Sequence, residues 1–281
     1  MTTKCKRLLT IQDISCLGKC SLTVALPIVS ALGVECAVIP SAVLSTHTGN
    51  FDNYTFKDLT AELEPIVAHW DSYDIVFDAL YTGYIASADQ LCIIKNIFEH
   101  YKMKESCNIV DPVLGDYGTI YRGFDKNFVD KMRELCNVAD IIIPNVTEAC
   151  ALLEIPFCGA ELDKLSTDKL LRSLGKICNG TIVLTGVSFE SGKIGVGILN
   201  VKTDKIDYCF APKIGTNFHG TGDIFASVVA GCIVKGCDII KASQVAVDFV
   251  SECIKNTVNN CNKRWYGVNF EETLNMLTNL K

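Results

Sequence analysis

Short apolar runs alternate with longer segments of helical periodicity along the chain, and this alternation constrains the fold more than any other feature. Strands of a parallel sheet read as short apolar runs, whereas a helix packed on one face repeats its apolar residues with a period near 3.6. The pattern predicts strands over 7–13, 35–43, 75–80, 107–111, 140–143 and 181–185, with a hairpin over 192–200 and 205–211. It predicts helices over 19–32, 57–69, 86–101, 125–136, 147–153, 167–178, 220–234, 238–257 and 270–280.

This order predicts an α/β fold with a mostly parallel sheet and helices on both of its faces, because right-handed crossovers distribute the helices that way. Ligands of such sheets bind beyond the carboxyl ends of the strands, and the polar residues of this chain gather there. No linker rich in Pro, Gly or Ser divides the chain, so a single domain over 1–281 is expected.

The charge balance and the apolar runs exclude several classes of protein. The formal net charge is −6 and the pI is about 5.3, without a run of Lys and Arg, so nucleic acid and anionic membrane surfaces are poor partners. No apolar run reaches the roughly 18 residues that a membrane span needs. The first residues show no leader-like apolar segment, so a cytoplasmic location is expected.

The chain contains fifteen cysteines, an unusually high number, but their positions predict neither disulfides nor a zinc site. Most lie within apolar stretches, and no CxxC occurs; the pairs Cys16/Cys20 and Cys232/Cys237 lack a second pair or a nearby histidine. We therefore expect small core side chains in a reducing compartment, among them Cys92, Cys136, Cys150, Cys178, Cys232 and Cys253.

The sharpest local signal is Gly220-Thr221-Gly222-Asp223, directly before an apolar helix. Two glycines let backbone N–H groups approach a ligand, and a helix start adds free donors and a positive dipole end, which suits a phosphate. Asp223 could then take a proton from an attacking hydroxyl. The alternative is an ordinary helix start capped by Thr221 or Asp223.

Two further polar groups follow predicted strands. Asp111 and Asp116 lie in one turn, where carboxylates beside a phosphate would suit Mg²⁺, although Asp116 also suits the turn itself. Asn145 and Glu148 have the spacing of a helix capping box, which is the favoured interpretation of that pair. The patterns GxGxxG, GxxxxGK[ST], GxSxG and HExxH are all absent, which argues against a nicotinamide dehydrogenase, a P-loop enzyme, an α/β-hydrolase and a zincin.

Several motifs together resemble the ribokinase-like superfamily, and within it the vitamin B6 kinases, over nearly the whole chain. The matching segments are Ile11-Gln12, Ser45-Thr46-His47-Thr48-Gly49, Thr82-Gly83-Tyr84, Asp111 to Asp116, Pro144-Asn145 with Glu148, and Gly220 to Asp223. The stretch Ser21–Pro27, taken with Ser45–Gly49, is most similar to sequences of pyridoxamine kinases.

The resemblance implies a ribokinase-like three-layer α/β/α sandwich and ATP-dependent phosphorylation of the 5′-hydroxymethyl group of pyridoxamine, pyridoxal or pyridoxine. ATP would be the co-substrate with Mg²⁺, activation by a monovalent cation is left open, and the enzyme would be a homodimer. Asp223 would be the catalytic base. The remaining implied roles are the anion hole (Gly220, Thr221, Gly222), substrate contacts (Asp13, Thr46, His47, Tyr84), ATP or phosphate contacts (Asp111, Asp116, Asn145, Glu148, Thr185, Gly186) and Mg²⁺ ligands (Asp111, Asp116, Glu148).

Two residues depart from the pattern of the better-known B6 kinases. Asp13 replaces a serine, and an acidic residue there resembles the hydroxymethylpyrimidine kinases of thiamine synthesis, although 15–21 lacks their glycine-rich stretch. Ile143 replaces a threonine before Pro-Asn. Hydroxymethylpyrimidine kinase activity therefore stays as an alternative, as does a non-catalytic ligand-binding protein on the same fold. Asp13 could also be a cap for the turn that follows it.

Overall fold

A nine-stranded sheet forms the centre of the computed structural model, which describes residues 6–49, 51–103, 106–159, 162–215, 218–260 and 264–280. Its strands are β1 (Arg7–Leu17), β2 (Glu35–Thr46), β3 (Phe56–Asp58), β4 (Ala79–Thr82), β5 (Cys107–Val110), β8 (Ile141–Ile142), β9 (Thr181–Val187), β10 (Lys193–Asn200) and β11 (Lys205–Pro212). Their order is β11-β10-β9-β8-β5-β4-β1-β2-β3. The six strands from β9 to β2 pair in parallel, whereas β3, β10 and β11 are antiparallel to their neighbours.

Helices cover both faces of this sheet, as the alternation of the sequence predicts. They are α1 (Leu22–Ala31), α2 (Thr60–Asp71), α3 (Ala88–Lys102), α4 (Lys126–Val138), α5 (Val146–Leu152), α6 (Lys164–Leu174), α7 (Thr221–Lys235), α8 (Ile239–Asn259) and the short α9 (Asn275–Thr278). One core contains the buried faces of α2 to α6, and a second contains those of α1, α7 and α8. Consecutive residues of β1 supply both cores, with Leu8 in the second and Leu9 in the first, because side chains alternate across a strand. The three-layer α/β/α architecture is confirmed.

Some predicted elements are wrong in extent or type. The helix predicted from residue 57 begins only at Thr60, because 56–58 form an edge strand paired with β2. The strand predicted over 75–80 starts at Ala79. The last predicted helix is reduced to a 3₁₀ turn, Glu271–Thr273, and the single turn of α9. Pro27 lies within α1, where a bend or a break is expected of a proline, but the helix continues through it.

A small hairpin, which the sequence pattern did not predict, follows β5. It consists of β6 (Gly115–Asp116) and β7 (Thr119–Ile120). The two residues between them, Tyr117 and Gly118, have φ values of 50° and 77°. Positive φ at both central residues is the geometry of a type I′ turn, which fits the twist of a two-residue hairpin. This hairpin gives Asp116 its place.

The cysteines of the described ranges are all free thiols. Cys136, Cys150, Cys178, Cys232 and Cys253 are buried, as expected for core side chains, whereas the expectation for Cys92 is wrong because it is exposed on α3. Within the described ranges, no three His, Cys, Asp or Glu side chains form a group that could hold a metal ion. Over the same residues, no helix is long and apolar enough to cross a bilayer.

Candidate active site

The start of α7 has the geometry of an anion hole. Gly220 has φ of +81°, and a Cβ there would come within 1.8 Å of the Lys19 carbonyl oxygen, so only glycine fits. No side chain caps this helix; Thr221 Oγ1 instead donates to the Phe218 carbonyl at 3.3 Å. The alternative in which Thr221 or Asp223 caps the helix is therefore wrong. The first N–H groups of a helix have no intrahelical partner, so those after Gly220 can bind an anion.

Asp223 lies in the first turn of α7 and faces a second carboxylate, that of Asp13. Burial raises the pKa of Asp223 to about 7, and repulsion by Asp13 adds to this, while a hydrogen bond from the Ser21 backbone opposes it. A carboxyl group with a pKa near neutrality is suited to accept a proton from a substrate hydroxyl.

Asp13 lies within β1, where the pairing with β2 shifts register between Gln12 and Ile14. Its side chain is 2% exposed, and Ser15 Oγ donates to its Oδ2 at 2.8 Å. Burial raises the pKa of Asp13, whereas hydrogen bonds from Ser21 and Ser15 lower it. Since Asp13 is part of a strand, the alternative in which it caps a turn is wrong.

A second pair of carboxylates lies across the carboxyl end of β5. Asp111 is 6% exposed and follows β5, and Glu148 is 4% exposed on α5. Burial and repulsion by Glu148 and Asp223 raise the pKa of Asp111 well above its ordinary value. Burial raises the pKa of Glu148 to about 8, against hydrogen bonds from backbone N–H groups.

The predicted capping box is confirmed and also holds the hairpin. Asn145 Oδ1 accepts from the Glu148 N–H at 3.0 Å, and Glu148 Oε2 accepts from the Asn145 N–H at 2.8 Å. Glu148 Oε1 accepts from the Leu114 N–H at 3.2 Å, and Asn145 Nδ2 donates to the Gly115 carbonyl at 2.9 Å. The cap and the hairpin therefore form one unit.

Asp116, Thr185 and Gly186 lie around this unit. Asp116 is exposed, and its Oδ1 accepts from the Tyr117 N–H at 2.9 Å, which is the turn role foreseen for it. Partial burial of its carboxyl group raises the pKa of Asp116, and the Tyr117 N–H and His219 oppose this. Thr185 forms an isolated parallel bridge with Asn145 at the end of β9, and Gly186 follows it with φ of +77°.

Three residues predicted to contact substrate lie at the carboxyl ends of β2 and β4: Thr46 is the last residue of β2, His47 follows it, and Tyr84 follows β4. Thr46 Oγ1 is buried and has no hydrogen-bond partner in the described part of the chain. Burial raises the pKa of Tyr84 to about 12, with a further contribution from Asp13, and its ring stacks on Phe124 at 5.7 Å. His47 is 6% exposed and uses both ring nitrogens on backbone groups, so only its ring carbons are left to contact a ligand.

Sequence reasoning missed several residues of this site. Gln12 Oε1 and Thr82 Oγ1 are buried without a hydrogen-bond partner among the described residues, next to Asp13 and Gly83 respectively. Both belong to quoted motifs, so a search for polar residues inside apolar strands would have found them. Ser21, with φ of 50°, and the segment 264–269 gave no signal, because their contacts join distant parts of the chain.

A cavity of about 830 Å³ lies between the end of β11, α8 and the C-terminal turns. Pro212 and Ile214 in its wall come eight and six positions before Gly220 in the sequence. Val258 and Met276 add apolar surface. Asn256 and Asn259 supply amide groups. Charged side chains also line it, namely Asp248, Glu252, Lys255 and Glu272. Apolar surface combined with a few polar groups suits a flat heterocyclic group.

The model of the phosphomethylpyrimidine kinase family matches residues 26–267, which is most of the chain and includes the anion hole and both pairs of carboxylates apart from Asp13. The chain belongs to the phosphomethylpyrimidine kinase family. Membership makes it a phosphotransferase of the group that contains the pyridoxal and hydroxymethylpyrimidine kinases.

The individual relatives of this chain include both thiamine-biosynthesis enzymes and pyridoxal kinases. A bifunctional thiamine-biosynthesis enzyme of Arabidopsis thaliana is 27% identical over 82% of the chain, which spans only 42% of that enzyme. A pyridoxal kinase from Lactobacillus plantarum is 30% identical with a TM-score of 0.87, covering 97% of this chain and 96% of that one. A candidate phosphomethylpyrimidine kinase from Bacteroides thetaiotaomicron, whose crystal structure contains pyridoxal, is 33% identical with a TM-score of 0.90, covering 98% and 96%.

Proposed function

We propose that this chain transfers the γ-phosphoryl group of ATP to the 5′-hydroxymethyl group of a B6 vitamer, in the cytoplasm. The observation that carries the proposal is the position of Asp223, a carboxyl group whose pKa burial raises to about 7, in the first turn of a helix whose glycine start leaves its N–H groups open. Pyridoxal in the 33% identical Bacteroides structure supports the choice of acceptor.

The chain's own residues provide positioning and charge. Asp223 takes the proton of the substrate's hydroxymethyl group. The hydroxymethyl oxygen bonds to the γ-phosphorus, and the bond from that phosphorus to the oxygen that leaves with ADP breaks. The N–H groups around Gly220 to Gly222 hold the charge that develops on the transferring group. We assign the heterocyclic base of the nucleotide to the cavity between β11 and α8, and the vitamer to the region of Asp13, Thr46 and Tyr84.

The donor set fits Mg²⁺. Asp111 and Glu148 are buried carboxylates that repel each other, so a cation between them and the phosphates would relieve that repulsion. Mg²⁺ uses one or two protein carboxylates together with substrate phosphates, and it would neutralise the phosphate charge. Asp111 and Glu148 would hold it, with Asp116 at the exposed side.

Hydroxymethylpyrimidine kinase activity is the second candidate, and Asp13 is the observation that favours it. The buried carboxylate could accept hydrogen bonds from the exocyclic amine of an aminopyrimidine as well as from a pyridoxamine ammonium. Both substrates are small aromatic heterocycles with a hydroxymethyl group, so the same base and anion hole would serve either.

A substrate panel tests the proposal. ADP release should be measured with pyridoxal, pyridoxamine, pyridoxine and hydroxymethylpyrimidine, each with and without excess chelator. The proposal requires phosphorylation of at least one B6 vitamer that stops in chelator. Turnover of hydroxymethylpyrimidine alone would transfer the function to the second candidate, and binding without turnover of any of them would leave a non-catalytic ligand-binding protein.

A further inference from the structure

The hydrogen bonds of His47 determine its tautomer. The Gly49 N–H donates to Nδ1 at 3.1 Å, so Nδ1 carries no hydrogen. Nε2 lies 2.9 Å from the Tyr266 carbonyl oxygen, and since a carbonyl can only accept, Nε2 must donate. The ring is therefore neutral, and it joins the loop after β2 to a segment more than 200 residues later in the chain.

The other faces of the ring are also in contact. A Cβ on Gly18 would come within 2.8 Å of His47 Cδ2, so the turn after β1 lies directly against the ring. Phe51 packs on it edge to face at a centroid distance of 5.0 Å, and Phe51 in turn contacts Trp265 at 4.6 Å. The His219 ring, directly before Gly220, lies 5.5 Å from it.

The turn over 17–20 is held from two sides and rests on the anion hole. A Cβ on Gly267 would come within 2.5 Å of Lys19 Cβ, and the Lys19 amino group pairs with Glu271. On its other side the Lys19 carbonyl lies against Gly220. The contacts therefore run without a gap from Tyr266 through His47 and the turn to the glycine that opens α7.

We propose that His47 is a positioning residue that holds the segment 264–269 and the turn 17–20 against Gly220, and so fixes the anion hole. It acts through backbone groups, as a neutral ring with its hydrogen on Nε2, and not as an acid or base. The inference rests on the proposed function, because an anion hole matters only if a phosphoryl group reacts there. The dependence on geometry is steep: a misplacement of about 1 Å can lower a rate by on the order of 100-fold.

Three variants separate the contacts. His47→Phe keeps an aromatic ring but loses both hydrogen bonds, His47→Gln keeps a donor that can reach the Tyr266 carbonyl, and Gly267→Ala pushes on Lys19 without altering the histidine. His69→Gln is the matched control, because His69 is exposed on α2, away from the site. Steady-state kinetics with the vitamer that the wild type turns over should be combined with the melting temperature and ¹⁵N NMR of the labelled histidines.

We expect the wild-type spectrum to show His47 with hydrogen on Nε2, identified by its loss in His47→Gln. We expect His47→Phe and Gly267→Ala to lower kcat on the order of 10- to 100-fold, with KM for ATP within about threefold, because the group that reacts is misplaced while the nucleotide still binds. His47→Gln should retain more activity than His47→Phe, and His69→Gln should behave as wild type.

Two outcomes overturn the inference: a His47 signal with hydrogen on Nδ1, or His47→Phe and Gly267→Ala that fold and keep kcat within about twofold of wild type. If His47→Phe does not fold, Gly267→Ala and the tautomer decide. A wild type that phosphorylates no hydroxymethyl heterocycle overturns the proposed function instead, and that result is distinguishable because the tautomer is measured without substrate.

Discussion

At the level of single residues, the site contains four carboxyl groups whose surroundings disfavour the ionised form. Asp13, Asp111, Glu148 and Asp223 all have raised pKa values, and burial is the largest cause in each. Burying a carboxylate costs free energy, and in Asp13, Glu148 and Asp223 the hydrogen bonds offset only part of that cost, because the pKa values stay raised. Perturbed carboxylates in a cleft are typical of functional sites.

We expect Asp223→Asn to lower turnover by a factor of about 10² or more, the usual scale for the loss of a general base. The amide keeps the size of the side chain and one oxygen that can accept from the Ser21 backbone, but it cannot take the proton. Asp238→Asn is the matched control, since Asp238 caps the start of α8 and an asparagine can cap equally well. Steady-state kinetics with ATP binding measured separately will check this, and near-normal turnover of Asp223→Asn would remove the assignment.

Asp13→Ser should alter the choice of substrate. A buried carboxylate favours a cationic group through a charge-assisted bond, so wild type should prefer pyridoxamine over pyridoxal by roughly 1–3 kcal/mol, and the serine variant should lose that preference. The measurement is kcat/KM for the three vitamers and hydroxymethylpyrimidine. An equal loss for all three vitamers would contradict selection by the amine.

At the scale of elements, the short helix α5 and the β6–β7 hairpin depend on each other. Asn145 caps α5 and bonds the Gly115 carbonyl, while Thr147 Oγ1 accepts from the Gly118 N–H at 2.9 Å. Two short elements that would be unstable alone are thereby fixed beside Asp111. Sequence reasoning identified the capping box from its spacing, but the hairpin lacked a recognisable turn pair such as Asn-Gly.

We expect Asn145→Ala to destabilise the protein by about 1–2 kcal/mol through loss of the cap and of the bond to Gly115, and to raise KM for ATP. Asp163→Ala is the matched control, because Asp163 caps α6 through the Ser166 N–H at 2.7 Å and is not one of the residues proposed to contact ATP. Denaturant unfolding should show a loss in both variants, with the kinetic change confined to Asn145→Ala. If both variants bind ATP as wild type does, the α5 unit does not serve the nucleotide.

At the scale of the whole molecule, the raised carboxyl pKa values predict how stability depends on pH. The folded protein holds protons on Asp223 and Glu148, with pKa values of about 7 and about 8, that the unfolded chain releases at lower pH. Their contribution is complete below the unfolded pKa values, about 4, and is lost as pH rises through the folded values. The free energy of unfolding of the ligand-free protein should therefore decrease as the pH rises from about 4 to about 8. Denaturant titrations at several pH values across this range measure that free energy. Asp223→Asn should flatten its pH dependence near pH 7. A free energy of unfolding that increases over this range would contradict the prediction.

The homodimer implied by the resemblance to the B6 kinases stays a prediction, and exposed apolar side chains near the β3 edge of the sheet are compatible with it. Phe56 on the edge strand β3 is 47% exposed and Leu17 at the carboxyl end of the interior strand β1 is 51% exposed, and such apolar side chains are suited to an interface. Light scattering should give about twice 30.7 kDa. Phe56→Lys should weaken the dimer while Leu165→Lys, at an exposed position on α6, should not. A monomer at working concentrations would remove the prediction.

The layers of the sheet and the glycine-rich start of α7 could both be predicted from residue patterns alone. Apolar periodicity depends on neighbours a few residues away, and Gly220 to Asp223 are consecutive, so local order was enough for both. Three features became visible only in the folded chain: Asp13 faces Asp223, residues 56–58 extend the sheet, and His47 joins Tyr266. These features depend on contacts between residues far apart in the chain. The burial and the repulsion of a carboxylate, or the approach of a histidine ring to a distant backbone carbonyl, cannot be predicted from a local pattern of residue types.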